Sequence, residues 1–567
     1  MLTRAMEWIR KIRARASGRN GLPLHRSLRG KLLLWFLILS LIPMMAGGAI
    51  SYLRARDALI KDTQSKLAAV RSLKASQVSD LFIFRLNKIQ ALANVIALLR
   101  DSSSDRLAAL AQIRKTEVER YFENAFKSLE THSESYPVKT LYRKLDAHLR
   151  DNENRLLPDS GEFEKLTSLF GYPLDKVAAS NHYQDLLLVH MDTGLVAYSV
   201  MRGEELGRDL TNGQFRDSGL ARLARRVAES KGTAFSDFQR IGEDEKGATA
   251  YMGAPVFDND DNLVGMLAAK ITVQDINAIM QSREGLGKTG EAYLVGPDFR
   301  MRSDSIQDPV GHSVKASFAG TIDENGMKTP AAREALRGAA GSGIRESYRD
   351  HLVITAWEPV RIQNVTWAAV TEMDLEEAFH AGTEGQQDFL ARFATTNMYE
   401  DLYLIDTAGY VFYSKKQAAD YHENVLTGSL ADTHLGRLVQ KVKDTQFATL
   451  SDLDSYEPSG GQVVGFAAAP VLREMKTSLI VAVQFTPDYI NMVMSREIGG
   501  ASDVLGETLD TVLVGPDYRM RSDSRLASDT HTITASFAGS VKDNGIRAEY
   551  VERALSENPE ENTGLWS

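Results

Sequence analysis

The chain of 567 residues contains no cysteine. This absence excludes thiolate catalysis, cysteine-ligated zinc and any disulfide framework. The eleven histidines form no metal-binding spacing such as HExxH, and no G-x-S-x-G elbow occurs with triad partners. The sequence therefore predicts no catalytic residue, no metal and no cofactor. Apolar residues at 43% and charged residues at 25% favour several ordinary globular domains.

Charged side chains are missing from LLLWFLILSLIPMMAGGAISYL, residues 32–53. A helix of this length crosses roughly 30 Å of hydrocarbon, so we predict a transmembrane helix. A cleaved signal peptide is the rival interpretation, but its apolar region would be shorter. Residues 1–31 carry nine Lys or Arg against Glu7. This asymmetry predicts a cytoplasmic basic segment, a bacterial inner-membrane location and an extracytoplasmic, periplasmic bulk after about residue 54.

Proline and glycine are missing from Arg54 to Arg100, where apolar residues recur every three or four positions. This spacing predicts a long stalk helix with one buried stripe, followed by a helix-prone region over 104–170. From Tyr183 onward, short β-branched and aromatic runs alternate with turns, and DNDDN at 258–262 predicts a hairpin. We expect an α+β fold built on antiparallel sheets.

A whole-domain duplication is visible in the repeats. LVGPDFRMRSDS at 294–305 returns as LVGPDYRMRSDS at 513–524, and ASFAG at 316–320 returns at 535–539. A period of roughly 217 residues is too long for a solenoid. The first copy ends in HLVITAWEPV and VTWAAVTEMDL, which predict two neighbouring strands. The second copy has no counterpart of them before Ser567, so we expect this chain to be a fragment that ends before those strands.

These stretches resemble the double Cache family, the extracytoplasmic sensor domains of chemoreceptors, sensor histidine kinases and cyclases. The matching segments include YQDLLLVHMDTGLVAYSV and LVGMLAAKI for a membrane-distal module. GLGKTGEAYLVGPDFRMRSDS and WAAVTEMDLEEAF match a membrane-proximal module. The resemblance implies tandem double Cache units, each with two PAS-like antiparallel sheets flanked by helices.

The resulting organisation has eight segments. They are a basic segment (1–31), a transmembrane helix (32–53), a helical stalk (54–182), the first distal (183–283) and proximal (284–379) modules, a connector (380–398), and the second distal (399–497) and incomplete proximal (498–567) modules.

Two departures from the family pattern bear on function. GKTGEAYLVG becomes GETLDTVLVG in the second copy, with Leu509 in place of Gly290 and Val512 in place of Tyr293. If Gly290 has a positive φ, the turn has changed and the second copy is degenerate as a sensor. The Arg-x-Trp-Tyr stretch of the amino-acid-binding subgroup is absent. Amino-acid recognition is therefore not supported.

Two sets of residues are candidates for contacts with ligand. In the first set, Tyr198, Asp237 and Tyr251 are expected to line a PAS-like pocket, with core packing or a strand cap as the alternative. Their counterparts are Tyr413, Asp452 and Phe466. In the second set, alternating Arg and Asp residues either meet a small anion or fix a turn through an Arg–Asp pair, which we favour. They are Arg300, Arg302 and Asp304, recurring as Arg519, Arg521 and Asp523.

A dinucleotide-binding fingerprint, G-x-G-x-x-G, follows a strand and opens a helix. The segment Gly285-Leu-Gly287-Lys-Thr-Gly290 has this residue pattern but precedes a predicted strand, so it lacks the required context. We interpret it as a tight turn. No basic patch for nucleic acid exists beyond the N-terminal segment.

The sequence thus predicts the sensing region of a transmembrane receptor for a small molecule of unknown class, working as a homodimer. Methyl-accepting chemotaxis output is the first expectation. A histidine kinase or cyclase input region, or an anchored solute-binding or scaffold protein, are the alternatives.

Overall fold

The computed structural model describes residues 28–240, 248–379, 388–495 and 510–556. These residues combine long helices with antiparallel sheets, which confirms the α+β prediction. The chain divides into two compact units, one of residues 85–486 and one that joins the segment ending at Phe84 to the segment beginning at Pro487. Residues 1–27 of the basic segment, residues 380–387 of the connector and Leu509 lie outside the described residues.

The first helix, α1 (Leu28–Ser133), contains both the uncharged segment and the predicted stalk. Its apolar residues over 32–53 are mostly more than 45% exposed, whereas residues such as Ile89, Leu92 and Ile96 are fully buried. Among the described residues, this is the one helix long and apolar enough to cross a membrane by length and composition. Three shorter helices follow: α2 (Tyr136–Asp151), α3 (Gly161–Phe170) and α4 (Tyr172–Ser180).

The first distal module is a five-stranded sheet in the order β2-β1-β5-β4-β3. Its elements are β1 (Asp185–His190), β2 (Leu195–Ser199), α5 (Gly219–Ser230), β3 (Ala234–Arg240), β4 (Ala248–Phe257), β5 (Leu263–Ile271) and α6 (Gln274–Met280). The predicted hairpin at 258–262 joins β4 to β5. Ser218 caps α5 by accepting from the Ala221 amide, and the apolar face of α5 packs on β3 and β4.

The first proximal module is a four-stranded sheet in the order β6-β9-β8-β7. It comprises β6 (Glu291–Val295), α7 (Val314–Ala319), α8 (Ile322–Asn325), α9 (Pro330–Leu336), β7 (Gly341–Glu346), β8 (Leu352–Ile362), β9 (Val365–Asp374) and α10 (Leu375–Phe379). β8 and β9 pair along their whole length, as their sequences predict.

The second distal module repeats the first one. It contains α11 (Phe389–Thr396), β10 (Asp401–Asp406), β11 (Val411–Ser414), α12 (His434–Thr445), β12 (Thr449–Leu450), β13 (Asp454–Tyr456), β14 (Gln462–Arg473) and β15 (Lys476–Phe485). The strand order β11-β10-β15-β14-β12 is equivalent to that of the first module. Even the bulge after Leu188 has a counterpart after Leu404. The duplication is therefore structural as well as sequential.

The remaining described segment of the second copy contains α13 (Asp488–Ser495), α14 (Ile533–Ala538), α15 (Val541–Asn544) and α16 (Glu549–Ser556). Residues 510–514, the counterpart of β6, make only a bridge between Val514 and Met520 within the described residues. The same bridge links Val295 to Met301 in the first copy, so the turn that follows the strand is retained.

Candidate functional site

The first distal module buries a polar cluster where neighbouring residues of the inner strands β1, β5 and β4 meet the segment between β2 and α5. Asp185, at the start of β1, accepts a hydrogen bond from Ser199 Oγ at 2.6 Å. Lys270 lies opposite Asp185 in the β1–β5 ladder, and its Nζ is 2.8 Å from Glu205 Oε1. Tyr251 donates its hydroxyl hydrogen to the same Glu205 oxygen at 3.0 Å. Glu205, from the loop, is thus held by one cation and one hydroxyl.

The charge of Glu205 is compensated inside the protein. Burial opposes its ionisation, but the hydrogen bond and positive charge of Lys270 outweigh that effect, so the pKa of Glu205 lies below its ordinary value. The pair is largely shielded from water, with side-chain exposures of 13% and 9%. The first module therefore contains a satisfied internal ion pair.

The second distal module has the same cluster with different chemistry. Asp401, which is fully buried, accepts from Ser414 Oγ at 2.8 Å, as Asp185 does from Ser199. Asp420 is the counterpart of Glu205 and accepts from Tyr456 at 2.9 Å. Gln484 lies opposite Asp401, at the position that Lys270 occupies in the first module. Two buried carboxyl groups therefore remain, and the buried cation is gone.

The Oδ1 atom of Asp420 is buried and has no hydrogen-bond partner. The nearby Tyr403 hydroxyl favours the charged form of Asp420, but it donates to Gln484 Oε1 at 2.9 Å. Gln484 Oε1 also accepts from Ser459 Oγ at 3.2 Å, so with the Tyr403 hydrogen on Gln484 it is the Oδ1 atom of Asp420 that lacks a donor. Burial raises the pKa of Asp420, and burial together with the charge of Asp420 raises the pKa of Asp401.

The tyrosines predicted to line a pocket do not all converge. Tyr251 belongs to the polar cluster of the first distal module, whereas the Tyr198 hydroxyl donates to Asp175 Oδ1 of α4 at 3.1 Å. Tyr413, the counterpart of Tyr198, donates likewise to Asp388 at the start of α11. Tyr198 and Tyr413 thus tie their sheets to the preceding helices.

Asp237 lies within β3, not at its beginning, and links two modules. Its carboxylate accepts two hydrogen bonds from Arg302 of the proximal module, both at 2.8 Å, and one from Trp367 Nε1 at 3.1 Å. Arg302 is 1% exposed and also pairs with Asp298 at 2.9 Å. Asp452, the counterpart of Asp237 in the second copy, lies between β12 and β13 and accepts from the Leu453 amide at 2.7 Å.

The other Arg and Asp candidates contact their own turns. The guanidinium of Arg300 lies over the Phe318 ring at 5.3 Å, and Asp304 accepts from the Val314 amide at 2.6 Å and from Asn277 at 2.8 Å. The second copy has the same contacts. Arg519 and Arg521 lie over Phe537, and Asp523 accepts from the Ile533 amide and from Asn491.

Sequence reasoning missed the residues that form the two polar clusters, namely Asp185, Glu205 and Lys270 in the first and Asp401, Asp420 and Gln484 in the second. A signal existed for two of these positions: an acid begins an otherwise apolar buried strand in both copies, and a lysine interrupts LVGMLAAKI. Glu205 and Asp420 lie in irregular loops, where no periodicity marks a buried residue.

No group of three or more His, Asp or Glu side chains suited to a metal ion occurs among the described residues. A small apolar cavity of about 220 Å³ lies elsewhere, between α2, α4 and β1, and is lined by residues such as Val138, Leu174 and Leu186. Its lining is otherwise apolar, with His132 and Ser135 as its polar residues.

Comparison with known proteins gives matches among solved structures only. No family model and no curated protein matches the chain. An extracellular ligand-binding receptor from Desulfohalobium retbaense is 13% identical over 47% of this chain and 40% of its own, with a TM-score of 0.30. The chain thus spans about two fifths of that receptor.

Two chemoreceptor domains are similar over nearly their whole length. The periplasmic sensory domain of Campylobacter jejuni Tlp1 is 12% identical over 50% of this chain and 100% of its own, with a TM-score of 0.34. The ligand-binding domain of Pseudomonas aeruginosa PctB, solved with L-Gln, is 16% identical over 51% and 98%, with a TM-score of 0.32. At these scores the likeness carries no functional inference. The paired sheets of the first copy and their flanking helices nevertheless agree with the architecture that the double Cache resemblance implies.

Proposed function

We propose that this chain is the extracytoplasmic sensing region of a transmembrane receptor, of the chemotaxis class, that binds a small molecule in a distal module. The observation that carries the proposal is the duplicated distal sheet with a buried polar cluster on its inner strands. Polar groups buried in this way cost free energy unless they are paired or serve a ligand. Such clusters suit the recognition of a small polar molecule.

The contacts of α1 supply a route for the signal. Within residues 85–486, Phe122 stacks edge to face on Phe235 of the first distal module at 5.2 Å, and Lys115 pairs with Glu358 of the proximal module at 3.1 Å. Arg100 donates to the Leu472 carbonyl of the second distal module at 3.1 Å. A ligand that favours one arrangement of any of these three modules would therefore bias the helix that also contains the apolar segment.

Pairing of two chains along α1 extends this proposal. Large apolar side chains of the helix outside the apolar segment are exposed, among them Leu59, Ile83 and Leu98. A second copy of α1 would cover them, as expected of a homodimeric receptor. The molecular mass of the full chain in detergent, measured by light scattering, tests this extension, and a monomer would contradict it.

The absence of cysteine makes the predicted topology directly measurable. A single cysteine at Ser168, which is exposed in α3, should react in intact cells with a maleimide that cannot cross the inner membrane. The matched variant Ser17→Cys, in the basic segment, should react only after the cells are lysed. Labelling of Ser17→Cys but not of Ser168→Cys in intact cells would overturn the proposal.

A further inference from the structure

The two distal modules differ in one buried charge. In the first, the Lys270 ammonium lies on Glu205, 2.8 Å from its Oε1. In the second, Asp420 replaces Glu205 and Gln484 replaces Lys270. Gln484 instead donates to Ser459 Oγ at 2.9 Å and accepts from Tyr403. The second module therefore keeps the acid of the ion pair, as Asp420, but has no lysine at the equivalent position.

The acids of the second cluster, Asp420 and Asp401, are buried and include an acceptor atom that is free to bind a ligand. Asp420 is fully buried, and its Oδ1 atom has no partner. Asp401 is also fully buried, and its negative charge and that of Asp420 each oppose the other. Two ionised acids buried in one cluster are unfavourable, so the cluster either takes up a proton, as the raised pKa values of both groups indicate, or binds a cation. The first module shows which cation fits this geometry, because it supplies one from its own chain.

We propose that the second distal module binds the primary ammonium group of a small amine at Asp420 and Asp401, and that the first module fills the equivalent position with its own Lys270. This inference rests on the proposed sensing function, which it deepens by naming a ligand class and the copy that takes it. The second copy is then the receptive one, contrary to its expected degeneracy, which was based on the loop at Leu509.

The surroundings favour an amine over other cations. Tyr403, Tyr456 and Phe466 line the cluster with aromatic rings, which attract an organic cation. A metal ion would need more acidic or histidine ligands than the described residues offer. The unpaired acceptor on Asp420 can accept from the N–H of a primary ammonium, which a quaternary ammonium lacks.

A carboxylate on the ligand would be disfavoured. None of the buried side chains described between Asp401 and Phe485 belongs to lysine or arginine. The buried Arg85 and Arg100 of α1 contact this module at the Phe485 ring and at the Leu472 carbonyl, not at Asp401 or Asp420, among their described contacts. The buried His434 has a pKa lowered to about 4, chiefly by burial, so it is neutral at physiological pH. The inferred ligand class is therefore an amine without a neighbouring carboxylate, which separates it from the amino acids.

The binding test uses the full chain in lipid nanodiscs and its thermal unfolding. Methylammonium chloride should raise the midpoint of unfolding by a few degrees at concentrations far above its dissociation constant. Tetramethylammonium chloride, sodium chloride and glycine, at matched concentration and ionic strength, should not. An equal effect of sodium and methylammonium would overturn the proposal.

Variants at the exchanged position make the test specific. Gln484→Lys installs the ammonium of the first module and should abolish the methylammonium effect, while Lys270→Gln should create a second binding site. Asp420→Asn should weaken binding at least 10-fold, whereas Asp444→Asn, on an exposed position of α12, should leave it unchanged. Binding that survives both Asp420→Asn and Gln484→Lys would refute the assignment.

The inference and the sensing function fail in different ways. If amines have no effect while another class of small molecule raises the unfolding midpoint, the amine assignment is wrong and sensing stands. If the topology of the Ser168→Cys and Ser17→Cys variants is reversed, extracytoplasmic sensing is wrong, whatever methylammonium does.

Discussion

At the scale of single residues, the link between the modules of the first copy depends on Arg302. This guanidinium is 1% exposed, and Asp237 neutralises it through two hydrogen bonds of 2.8 Å. Asp298 supplies a second carboxylate, which is 39% exposed. Since removing one partner of a buried ion pair leaves an uncompensated charge, the two carboxylates should contribute very differently.

We expect Asp237→Asn to lower the free energy of unfolding by about 3 kcal/mol, because it leaves the buried Arg302 with only its more exposed partner. The matched variant Asp298→Asn should lower it by less than about 1 kcal/mol. Urea unfolding of the full chain, followed by limited proteolysis, measures both. Equal losses would contradict the view that Asp237 joins the two modules.

A pair of buried acids in the first proximal module makes stability depend on pH. Glu291 and Glu372 lie opposite each other in the β6–β9 ladder, and Glu372 accepts from Tyr293 at 2.9 Å and from Ser347 at 2.8 Å. Burial, together with the charge of Glu291, raises the pKa of Glu372 to about 7. The folded state therefore favours the neutral carboxyl group.

The sign of the effect follows from linkage. The contribution of Glu372 to stability is present below pH about 4.5 and is lost as the pH rises through about 7, amounting to about 3 kcal/mol. Glu372→Gln should remove this part of the pH dependence, and Glu346→Gln, an exposed site on β7, should keep it. The midpoints of urea unfolding at pH 5 and 8, measured for the wild type and for both variants, test this prediction. An unchanged pH dependence in Glu372→Gln would show that another group is responsible.

At the scale of elements, most of the architecture was predictable and most of the site was not. The spacing of apolar residues predicted α1 through the stalk, and the turn DNDDN predicted the β4–β5 hairpin. The partner of Asp237 lies 65 residues along the chain, and the partner of Lys270 lies in a loop. Local periodicity determines which side chains are buried, but not which distant polar group each one meets.

The turn before β6 requires glycine at position 290 for a reason other than the predicted one. Gly290 was expected to need a positive φ, but the positive φ values in this turn belong to Gly285 (77°) and Gly287 (67°). Gly290 is instead required by close packing, since a Cβ atom there would overlap the carbonyl oxygen of Leu286. Because the overlapping atom belongs to the backbone of Leu286, it cannot move away as the end of a flexible side chain could.

We therefore expect Gly290→Ala to destabilise the first proximal module by about 1–3 kcal/mol through overpacking. Gly161→Ala is the matched control, because a Cβ atom there meets nothing within 4 Å and the residue begins α3. That control should be neutral or stabilising by up to about 1 kcal/mol. Thermal unfolding of the full chain compares the two. A harmless Gly290→Ala would mean that the loop relaxes and that Leu509 need not disturb the second copy.

At the scale of the whole molecule, α1 contains both the proposed membrane-spanning segment and the stalk, which are expected to face lipid and water respectively. Leu39 and Leu98 both belong to α1 and are 73% and 70% exposed. Leu39 lies within the uncharged segment, whereas Leu98 lies among charged residues of the stalk. Their equal exposure has opposite meanings, because an apolar side chain facing lipid is favourable and one facing water is tolerated.

This difference can be measured by placing the same charge at both positions. Leu39→Asp should oppose membrane insertion by about 2.5–3.5 kcal/mol, and should increase the fraction of chain extracted by carbonate. Leu98→Asp, with the same chemistry at a matched exposure, should leave that fraction at the wild-type value. If both variants resist extraction equally, residues 32–53 are not the membrane anchor. If both are released, the stalk itself contacts lipid or a partner, and the receptor topology must be redrawn.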